Sequence, residues 1–381
     1  MSDTPRRQRW LRHGGLAVVV VVMTAAAAGC GTSASSTADV LPLPRISTLD
    51  GLVIDGEKIA DKTVYDAAAG GSVSLYTTAS QQAEDFVSER FTEETGISLT
   101  FTRLATSKMS ERIQSEAGSG RLGADVIRLT DPVFAAKLGE QGVLVPYDPP
   151  SKADLLASDA MRPGDPVITC YYAAYAFAYN NRVVQPQDAP SRWEDLLDRR
   201  FSGGLLGVVR PFGSGASLAD FGLRNFGEQY WREMAALQPR VFDSVSVQTE
   251  ALARGEIAVA TFPAHAAYAA ERAGAPITFV TPEDVGVSAP LNVIGMTEAG
   301  LRNPAAQVFV NWTMAKSSQR FFAAQGYIPA RAGVTPVRDG QFDLPTVGSP
   351  ELQIFSLEDQ RARKDEVLET WNAAFGFTAS K

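Results

Sequence analysis

An uncharged segment without glycine or proline stands near the middle of the chain. Val167 to Asn180 reads VITCYYAAYAFAYN, and its four tyrosines are Tyr171, Tyr172, Tyr175 and Tyr179. The segment is shorter than the about 20 apolar residues that cross a bilayer. Its β-branched and aromatic residues favour strand over helix. We therefore predict a long buried strand that passes from one lobe to another, with an ordinary core strand as the alternative. The phenol groups need polar partners or a wet cleft beside them.

Apolar strands alternate with amphipathic helices on both sides of this segment. The pattern predicts strands over 73–76, 97–104, 124–129, 205–209, 257–261 and 277–280. Helices separate these strands, which indicates βαβ units and a parallel sheet. A second apolar stretch, 289–296, is predicted to cross back to the first lobe, and a long C-terminal helix is predicted over 359–375.

Cap residues mark several predicted helix starts. Asp131 followed by Pro132 is a cap with proline at the first helical position. Ser107 is predicted to cap the helix that stops at Gly118, and Ser191 opens a capping box with Glu194. Ser317 or Ser318 is predicted to cap a later helix.

The first residues are predicted to be a targeting signal. A basic start with four arginines precedes the apolar stretch 16–28 and then Gly29-Cys30, which is typical of a secretory signal peptide. The small residues before Cys30 also resemble the bacterial lipobox, in which the cysteine receives lipid and becomes the new N-terminus. An uncleaved anchor helix is the alternative. Residues 31–39 are predicted to be a flexible tether, and 41–62 an extended arm on the body.

The net charge argues against one class of partner, and the cysteine content argues against a disulfide. The net charge is −8, and loss of residues 1–29, with four arginines and one aspartate, makes the rest more acidic. An acidic surface argues against nucleic acid as a partner. If Cys30 is lipidated, Cys170 has no cysteine to pair with, so no disulfide is expected.

Three kinds of catalytic or cofactor site receive little support from the sequence. Residues 118–123 fit G-x-G-x-x-G, but they follow a predicted helix and precede a strand, the reverse of the dinucleotide fingerprint. The histidines are His13, which leaves with the signal, and His265. One histidine cannot build a histidine-rich zinc site. A catalytic triad would have to use His265, which has no evident serine elbow nearby in the sequence. The other interpretations of His265 are a residue at the start of a helix and a residue that contacts the ligand.

The remaining pattern is that of a binding site. Ligands lie outside the carboxyl ends of strands in open parallel sheets, and helix N-termini there favour an anion. Arg210 at a strand end adds a bidentate donor. The predicted ligand-binding residues are Thr78, Ser80, Thr130, Asp131, Tyr172, Arg210, Ser214, Gly215, His265 and Asn292.

With these residues in view, the chain resembles the extracellular solute-binding proteins of bacterial ABC importers, in the cluster that includes ferric-iron-binding proteins. The resemblance runs from about Ile59 to Gly333. It is carried by the strand at Tyr179-Asn180 and by the segments VSLYTTAS, RIQSEAGSGRLGADVI, PSRWEDLLD, GSG, ALARGEIAVA, NPAAQVFVNW and QGYIPAR.

The resemblance implies an α/β periplasmic-binding-protein type 2 fold. Two lobes, each a mainly parallel sheet flanked by helices, would be joined by crossing strands. The expected divisions are a lipoprotein signal peptide at 1–29, a tether and arm at 30–70, lobe 1 at 71–173 plus 289–381, and lobe 2 at 174–288.

The resemblance also implies a transport receptor that is not an enzyme. A monomer without a cofactor, held outside the cell membrane or in the periplasm by its N-terminal lipid, would pass a small solute to ABC permease and ATPase subunits. A cell-surface hydrolase on the same fold is the alternative class, and it would lose turnover on replacement of His265.

The ligand is not settled by the resemblance. Iron-binding relatives carry two adjacent tyrosines after the strand that here is 257–261, because ferric iron needs hard oxygen ligands. This chain has Phe262-Pro263-Ala264-His265 there, with Tyr268 the nearest phenol. The helix starts and Arg210 favour a small organic anion, such as a phosphate ester or phosphonate. Ferric iron with a bound anion, and a polyamine-like or thiamine-like cation, are the alternatives.

Overall fold

The computed structural model describes residues 41–156, 165–336 and 343–377. These residues belong to one unit, Asp39–Lys381. The predicted signal peptide, the lipidation of Cys30 and the tether at 31–39 lie outside the described residues. Within the described ranges, no helix is both long and apolar enough to span a membrane.

Strands and helices alternate along most of the chain, as predicted. The strands are β1 (Ile46–Ser47), β2 (Leu52–Ile54), β3 (Glu57–Ala60), β4 (Ser72–Thr77), β5 (Ser98–Arg103), β6 (Val126–Leu129), β7 (Leu144–Val145), β8 (Val167–Tyr172), β9 (Tyr175–Asn180), β10 (Leu206–Val209), β11 (Arg240–Phe242), β12 (Val259–Pro263), β13 (Ile277–Val280), β14 (Val287–Ser288), β15 (Leu291–Thr297), β16 (Ile328–Pro329) and β17 (Leu352–Gln353). The α-helices are α1 (Lys62–Ala68), α2 (Gln81–Thr95), α3 (Thr106–Gly118), α4 (Pro132–Glu140), α5 (Ser214–Ala236), α6 (Val245–Ala253), α7 (Ala264–Arg272), α8 (Glu298–Leu301), α9 (Pro304–Met314), α10 (Lys316–Ala324) and α11 (Leu357–Phe375).

Two seven-stranded sheets carry the core. The first has the order β16-β8-β15-β6-β4-β5, with β7 paired to β15. The second has the order β11-β10-β12-β9-β14-β17, with β13 paired to β9. Tryptophan side chains are fully buried on both, such as Trp312 in α9 and Trp193 beside the second sheet. We call the sheets, with the helices packed on them, the first and second lobe.

The uncharged central segment joins the two sheets. It forms two strands rather than one, because it breaks at Ala173-Ala174 where it leaves β8 in the first sheet and enters β9 in the second. The second apolar stretch returns in the same way, through β14 in the second sheet and β15 in the first. Both predicted crossings are therefore present.

The sheets are mixed, whereas mainly parallel sheets were predicted. Strands β5, β4 and β6 run parallel, as do β11, β10 and β12. The crossing strands β15 and β9 pair antiparallel with their neighbours. Parallel neighbours in a sheet are joined by a crossover connection, which is usually a helix. A crossing strand enters from the other lobe without such a helix, so it can run antiparallel to its neighbours.

The C-terminal segment lies with the second lobe. Strand β17 pairs with β14, and α11 packs along α5. This corrects the assignment of all residues in 289–381 to lobe 1. The other predicted lobe boundaries stay a prediction.

The predicted N-terminal arm is a small folded element. Strands β1, β2 and β3 form an antiparallel sheet. The guanidinium of Arg90 donates to the carbonyl oxygens of Leu41 and Pro42 at 2.9 and 3.0 Å, which fastens the start of the arm to α2.

Several predicted caps are displaced by a residue or two. Asp131 caps α4 as predicted and accepts from the backbone N–H of Phe134. Helix α3 begins after Ala105, so Ser107 lies inside it, and Ser317 and Ser318 lie inside α10, which begins after Ala315. The predicted box at Ser191 opens a 3₁₀ turn and closes on Asp195, one residue beyond Glu194.

Candidate functional site

A cavity of about 700 Å³ lies between the two sheets. Its walls come from the carboxyl ends of β4, β5 and β6 in the first lobe and of β10 and β12 in the second. The crossing strands close one end, where Ala173, Tyr175 and Asn292 reach the wall. We call this end the hinge end of the cleft.

Helix N-termini surround the cleft. The first turns of α2, α3, α5, α6 and α7 all contribute lining residues. Ser80 and Ser244 cap α2 and α6 through their side chains, whereas α3, α5 and α7 have no side-chain cap. Helix N-termini carry partial positive charge and backbone N–H groups without intrahelical partners. The cleft is therefore built to attract an anion.

Three threonine hydroxyls meet on the first-lobe wall. The Oγ1 atom of Thr130 lies 3.3 Å from that of Thr78 and 3.5 Å from that of Thr106. Gly213 of the second lobe is packed against this cluster. A Cβ atom at Gly213 would stand 2.6 Å from Thr130 Oγ1, and its φ of +56° suits glycine.

Arg103 supplies a positive charge at the end of β5. Its Nε donates to the carbonyl oxygen of Ala79 at 2.9 Å, which fixes the guanidinium in the cleft wall. Within the described part of the chain, no carboxylate pairs with it, so its terminal amino groups are available to a ligand. Lys108 adds a second charge nearby and is paired with Glu111 on its solvent side.

Arg210 lies on the opposite wall and is held by two partners. Its Nε is 2.7 Å from Oδ1 of Asp243, and its guanidinium carbon lies 4.2 Å from the centroid of the Phe377 ring. Asp243 is the one carboxylate among the described residues that line the cleft.

The hinge end is neutral and aromatic. The rings of His265 and Tyr327 stack at 4.4 Å between centroids, and the Tyr175 hydroxyl is 3.0 Å from Ser214 Oγ. Asn292 is only 4% exposed, and no residue that the structure describes accepts a hydrogen bond from its Nδ2. Nδ1 of His265 is likewise without a hydrogen-bond partner among the described residues. Buried amides normally have partners, so Nδ2 of Asn292 is available to a group that enters the cleft.

Burial sets the protonation states at this end. It lowers the pKa of His265 to about 3, so the imidazole is neutral at pH 7. Burial raises the pKa of Tyr175 to about 12, against the opposing hydrogen bond with Ser214, and raises that of Tyr327 well above its ordinary value. The hinge end thus presents neutral groups.

The structure brings most of the predicted ligand-binding residues to this one cleft. Those that line it are Thr78, Ser80, Thr130, Arg210, Ser214, Gly215, His265 and Asn292. Asp131 instead lines a second cavity of about 150 Å³ between α4, α5 and α11, with its Oδ2 3.9 Å from Lys364. Tyr172 is fully buried in β8, where it pairs with Leu291 of β15 and Ile328 of β16 inside the first sheet, and it does not line the cleft.

Sequence reasoning missed Arg103, Thr106 and Tyr327. Arg103 ends a strand just as Arg210 follows one, so the same strand-end signal could have found it. Thr106 is the first residue of α3, which the prediction began at Ser107. Tyr327 reaches the cleft from beyond α10, and no local pattern indicates that.

The described residues contain no cluster of three histidine, cysteine, aspartate or glutamate side chains suited to a metal ion. Phe262 and Pro263 end β12, and His265 follows them at the start of α7. The two tyrosines in the described lining of the cleft, Tyr175 of β9 and Tyr327 after α10, come from separate elements and not from the end of β12.

Comparisons with known proteins give a family and a fold. A family model described as "Bacterial extracellular solute-binding protein" matches residues 86–343. A periplasmic protein of Salmonella paratyphi A, provisionally named for binding 2-aminoethylphosphonate, is 24% identical over 264 residues, 65% of this chain and 74% of that protein.

Solved structures of periplasmic binding proteins share the architecture. AfuA from Actinobacillus pleuropneumoniae, with fructose-6-phosphate bound, aligns with a TM-score of 0.68 at 18% identity, over 81% of this chain and 100% of AfuA. Iron-bound HitA from Pseudomonas aeruginosa aligns with a TM-score of 0.64 at 17% identity, over 80% and 99%. The prediction of a two-lobe α/β periplasmic-binding-protein fold is confirmed.

Proposed function

Because the chain belongs to the bacterial extracellular solute-binding protein family, we propose that its cleft captures a phosphate ester or phosphonate for an ABC import permease. The receptor holds one small organic anion between its lobes and releases it to the permease and ATPase subunits. It works outside the cytoplasm as a monomer held by lipid on Cys30, without turnover.

One observation carries the proposal: the first turns of five helices and three cationic side chains face the same cleft. The cationic residues are Arg103, Lys108 and Arg210. A phosphoryl group is bound by backbone N–H groups at helix N-termini and by the guanidinium of arginine. Arg103 and Arg210 stand on opposite lobes, so an anion between them would draw the lobes together.

The hydroxyl cluster supports the same head group. Thr78, Thr106 and Thr130 present hydroxyls that donate to phosphoryl oxygens, next to the uncapped start of α3. Two similar proteins are associated with ligands of this kind. The Salmonella relative is provisionally named for binding a phosphonate, and the structurally similar AfuA was solved with a sugar phosphate bound.

The alternatives receive less support from the cleft. Ferric iron would need several phenolates or carboxylates, and the described lining offers one carboxylate, Asp243 beside Arg210, and the phenols of Tyr175 and Tyr327, which already contact Ser214 and His265. A polyamine would need carboxylates, and Asp243 is the one in that lining. Hydrolysis would need a nucleophile activated by His265, whose Nδ1 contacts no described hydroxyl.

A thermal-shift screen of the purified full chain tests the proposal. The panel is glucose 6-phosphate, glycerol 3-phosphate, 2-aminoethylphosphonate, inorganic phosphate, ferric citrate, spermidine and thiamine. A ligand at 100 times its Kd stabilises the native state by about 2.7 kcal/mol, which is an easily measured shift. We expect stabilisation by phosphorylated or phosphonate compounds. Stabilisation by ferric citrate or spermidine alone would overturn the proposal.

A further inference from the structure

We propose that the hinge end of the cleft selects a ligand tail that is uncharged and bears a hydroxyl or carbonyl oxygen, and rejects a tail that bears an ammonium group. This inference rests on the proposed function, because it assumes that the phosphoryl head lies at Arg103 and the first turns of α2 and α3, three strand positions along the first sheet from Asn292. It concerns the other end of the ligand.

The first observation is the unpaired amide of Asn292. The residue lies on the crossing strand β15, is 4% exposed and lines the cleft. Its Nδ2 is buried, and no described residue accepts its hydrogen bond. A buried donor left without an acceptor costs free energy. A ligand oxygen that accepts this hydrogen bond would remove that cost, whereas an ammonium group has no lone pair to offer.

The second observation is the neutral imidazole of His265. Nδ1 has no partner among the described residues, and burial keeps the pKa of the ring low, so the ring is uncharged. A neutral imidazole nitrogen either donates or accepts one hydrogen bond. A ligand hydroxyl, which does both, satisfies either tautomer.

The third observation is the charge around the cleft. An ammonium group taken out of water needs a carboxylate or an open aromatic face. Asp243 is the single carboxylate in the described lining, and it is engaged by Arg210. The Tyr327 ring is already packed against His265 at 4.4 Å and Tyr171 at 4.3 Å between centroids, which reduces the aromatic face open to a cation.

Together these features favour a hydroxylated phosphate ester or phosphonate over an amino compound of the same shape. That differs from the 2-aminoethylphosphonate for which the Salmonella relative is provisionally named. The difference would come from this chain's hinge end, because both kinds of ligand would make the same head-group contacts.

Isothermal titration calorimetry of the full chain with two matched ligand pairs tests the inference. The pairs are 2-hydroxyethylphosphonate with 2-aminoethylphosphonate, and glucose 6-phosphate with glucosamine 6-phosphate. Within each pair the head is constant and a hydroxyl replaces an ammonium group. We expect the hydroxyl ligand to bind at least tenfold tighter in each pair that binds.

The Asn292→Asp variant reverses the chemistry without changing the side-chain size. It removes the amide donor and supplies a carboxylate, so the amino ligand should gain at least tenfold relative to its hydroxyl partner. Asn292→Leu removes both functions and should weaken the hydroxyl ligand while leaving the amino ligand little changed. Circular dichroism confirms that each variant is folded.

The outcomes separate the two proposals. Equal or tighter binding of the amino ligands by the unmodified chain overturns the present inference and leaves the anion proposal standing. Absence of binding by all four compounds overturns the anion proposal, and this inference with it. The comparison on the unmodified chain decides the matter even if the Asn292 variants do not fold.

Discussion

Nε of Arg210 lies 2.7 Å from Oδ1 of Asp243, so the cleft holds an arginine that is already paired with a carboxylate. Asp243 is 83% exposed and Arg210 35% exposed on their side chains. A pair this open to solvent contributes little to stability, about 0–1 kcal/mol. Under the proposed function, the pair holds the guanidinium in place until an anionic ligand competes with Asp243 for it.

Replacing either partner of this pair should change anion binding in opposite directions. Arg210→Ala should weaken phosphate-ester binding by about 10- to 100-fold, since a hydrogen bond to a charged group contributes about 1.5–3 kcal/mol. Asp243→Asn should strengthen it roughly two- to fivefold by removing the competing charge. Calorimetric titration measures both.

The pair of Arg240 with Glu256 provides the control, because its N–O distance is 3.0 Å and it lies outside the cleft lining. Glu256→Gln should leave the affinity unchanged. Equal effects of Glu256→Gln and Asp243→Asn would show that the general charge of the chain, and not Arg210, governs binding.

Gly213 should not tolerate a side chain. Its φ of +56° and ψ of −126° disfavour other residues, and an added Cβ would stand 2.6 Å from Thr130 Oγ1 and 3.1 Å from Thr106 Oγ1. Gly213→Ala should destabilise the protein by about 1–3 kcal/mol and weaken ligand binding by displacing the hydroxyl cluster. Urea unfolding and calorimetry report the two effects.

Gly227→Ala is the matched control for Gly213. Gly227 also has a left-handed φ, +76°, but nothing lies within 4 Å of its Cβ position, and it does not line the cleft. Gly227→Ala should therefore destabilise through backbone strain alone and leave the affinity intact. A loss of affinity in both variants would mean that strain in α5, and not contact at the cleft, is responsible.

His265 should make stability fall at acid pH. Burial lowers its pKa in the folded state, so the unfolded chain takes up a proton first as the pH falls. The stabilising contribution is fully present above the unfolded pKa of about 6.5 and is lost toward about pH 3, by at most about 1.4 kcal/mol per pH unit.

His265→Asn removes this titration, so its stability should depend less on pH between 6.5 and 4 than that of the unmodified chain. An NMR titration of the imidazole checks the pKa directly, and the variant assigns the signal because His13 is the other histidine. An imidazole pKa near 6.5 in the folded protein would contradict the assignment of a buried, neutral imidazole to the hinge end.

Glu84 and Arg128 form a buried ion pair beneath the first-lobe wall. Both side chains are at most 2% exposed, and Thr77 Oγ1 donates to Glu84 Oε1 at 2.5 Å. Glu84→Gln would leave the buried guanidinium without its counter-charge and should destabilise the fold by about 3–5 kcal/mol. Chemical denaturation measures the change.

Glu111→Gln is the control for that variant, because the Glu111 pair with Lys108 is about two-thirds exposed on both sides. It should change stability by less than about 1 kcal/mol. Similar losses for Glu84→Gln and Glu111→Gln would refute the assignment of a structural role to the buried pair.

The sequence predicted the parts of the fold that depend on local patterns. The alternation of strands and helices, both crossings and the cap at Asp131 follow from periodicity and cap chemistry, which act over a few residues. The position of α11 against α5 could not be predicted in this way, because it depends on packing between residues more than 100 positions apart.

The residues of the candidate site could be predicted where they lie between the end of a strand and the start of a helix. Three such residues line the cleft: Thr78, Ser80 and Ser214. Asp131 satisfies the same rule, but it caps α4 on the side where α11 packs, so its side chain lies in the second cavity beside Lys364. Tyr327 enters the cleft through tertiary packing on Tyr171 and His265, which local sequence does not encode.

Calorimetric titration of the full chain with glucose 6-phosphate and with glucose tests the central claim most directly, because the two ligands differ only in the phosphoryl group. The account predicts one site for glucose 6-phosphate, weakened at least tenfold in Arg103→Ala, and no binding of glucose. Equal binding of both sugars, or binding of glucose 6-phosphate that is unaffected by Arg103→Ala and Arg210→Ala, would contradict it.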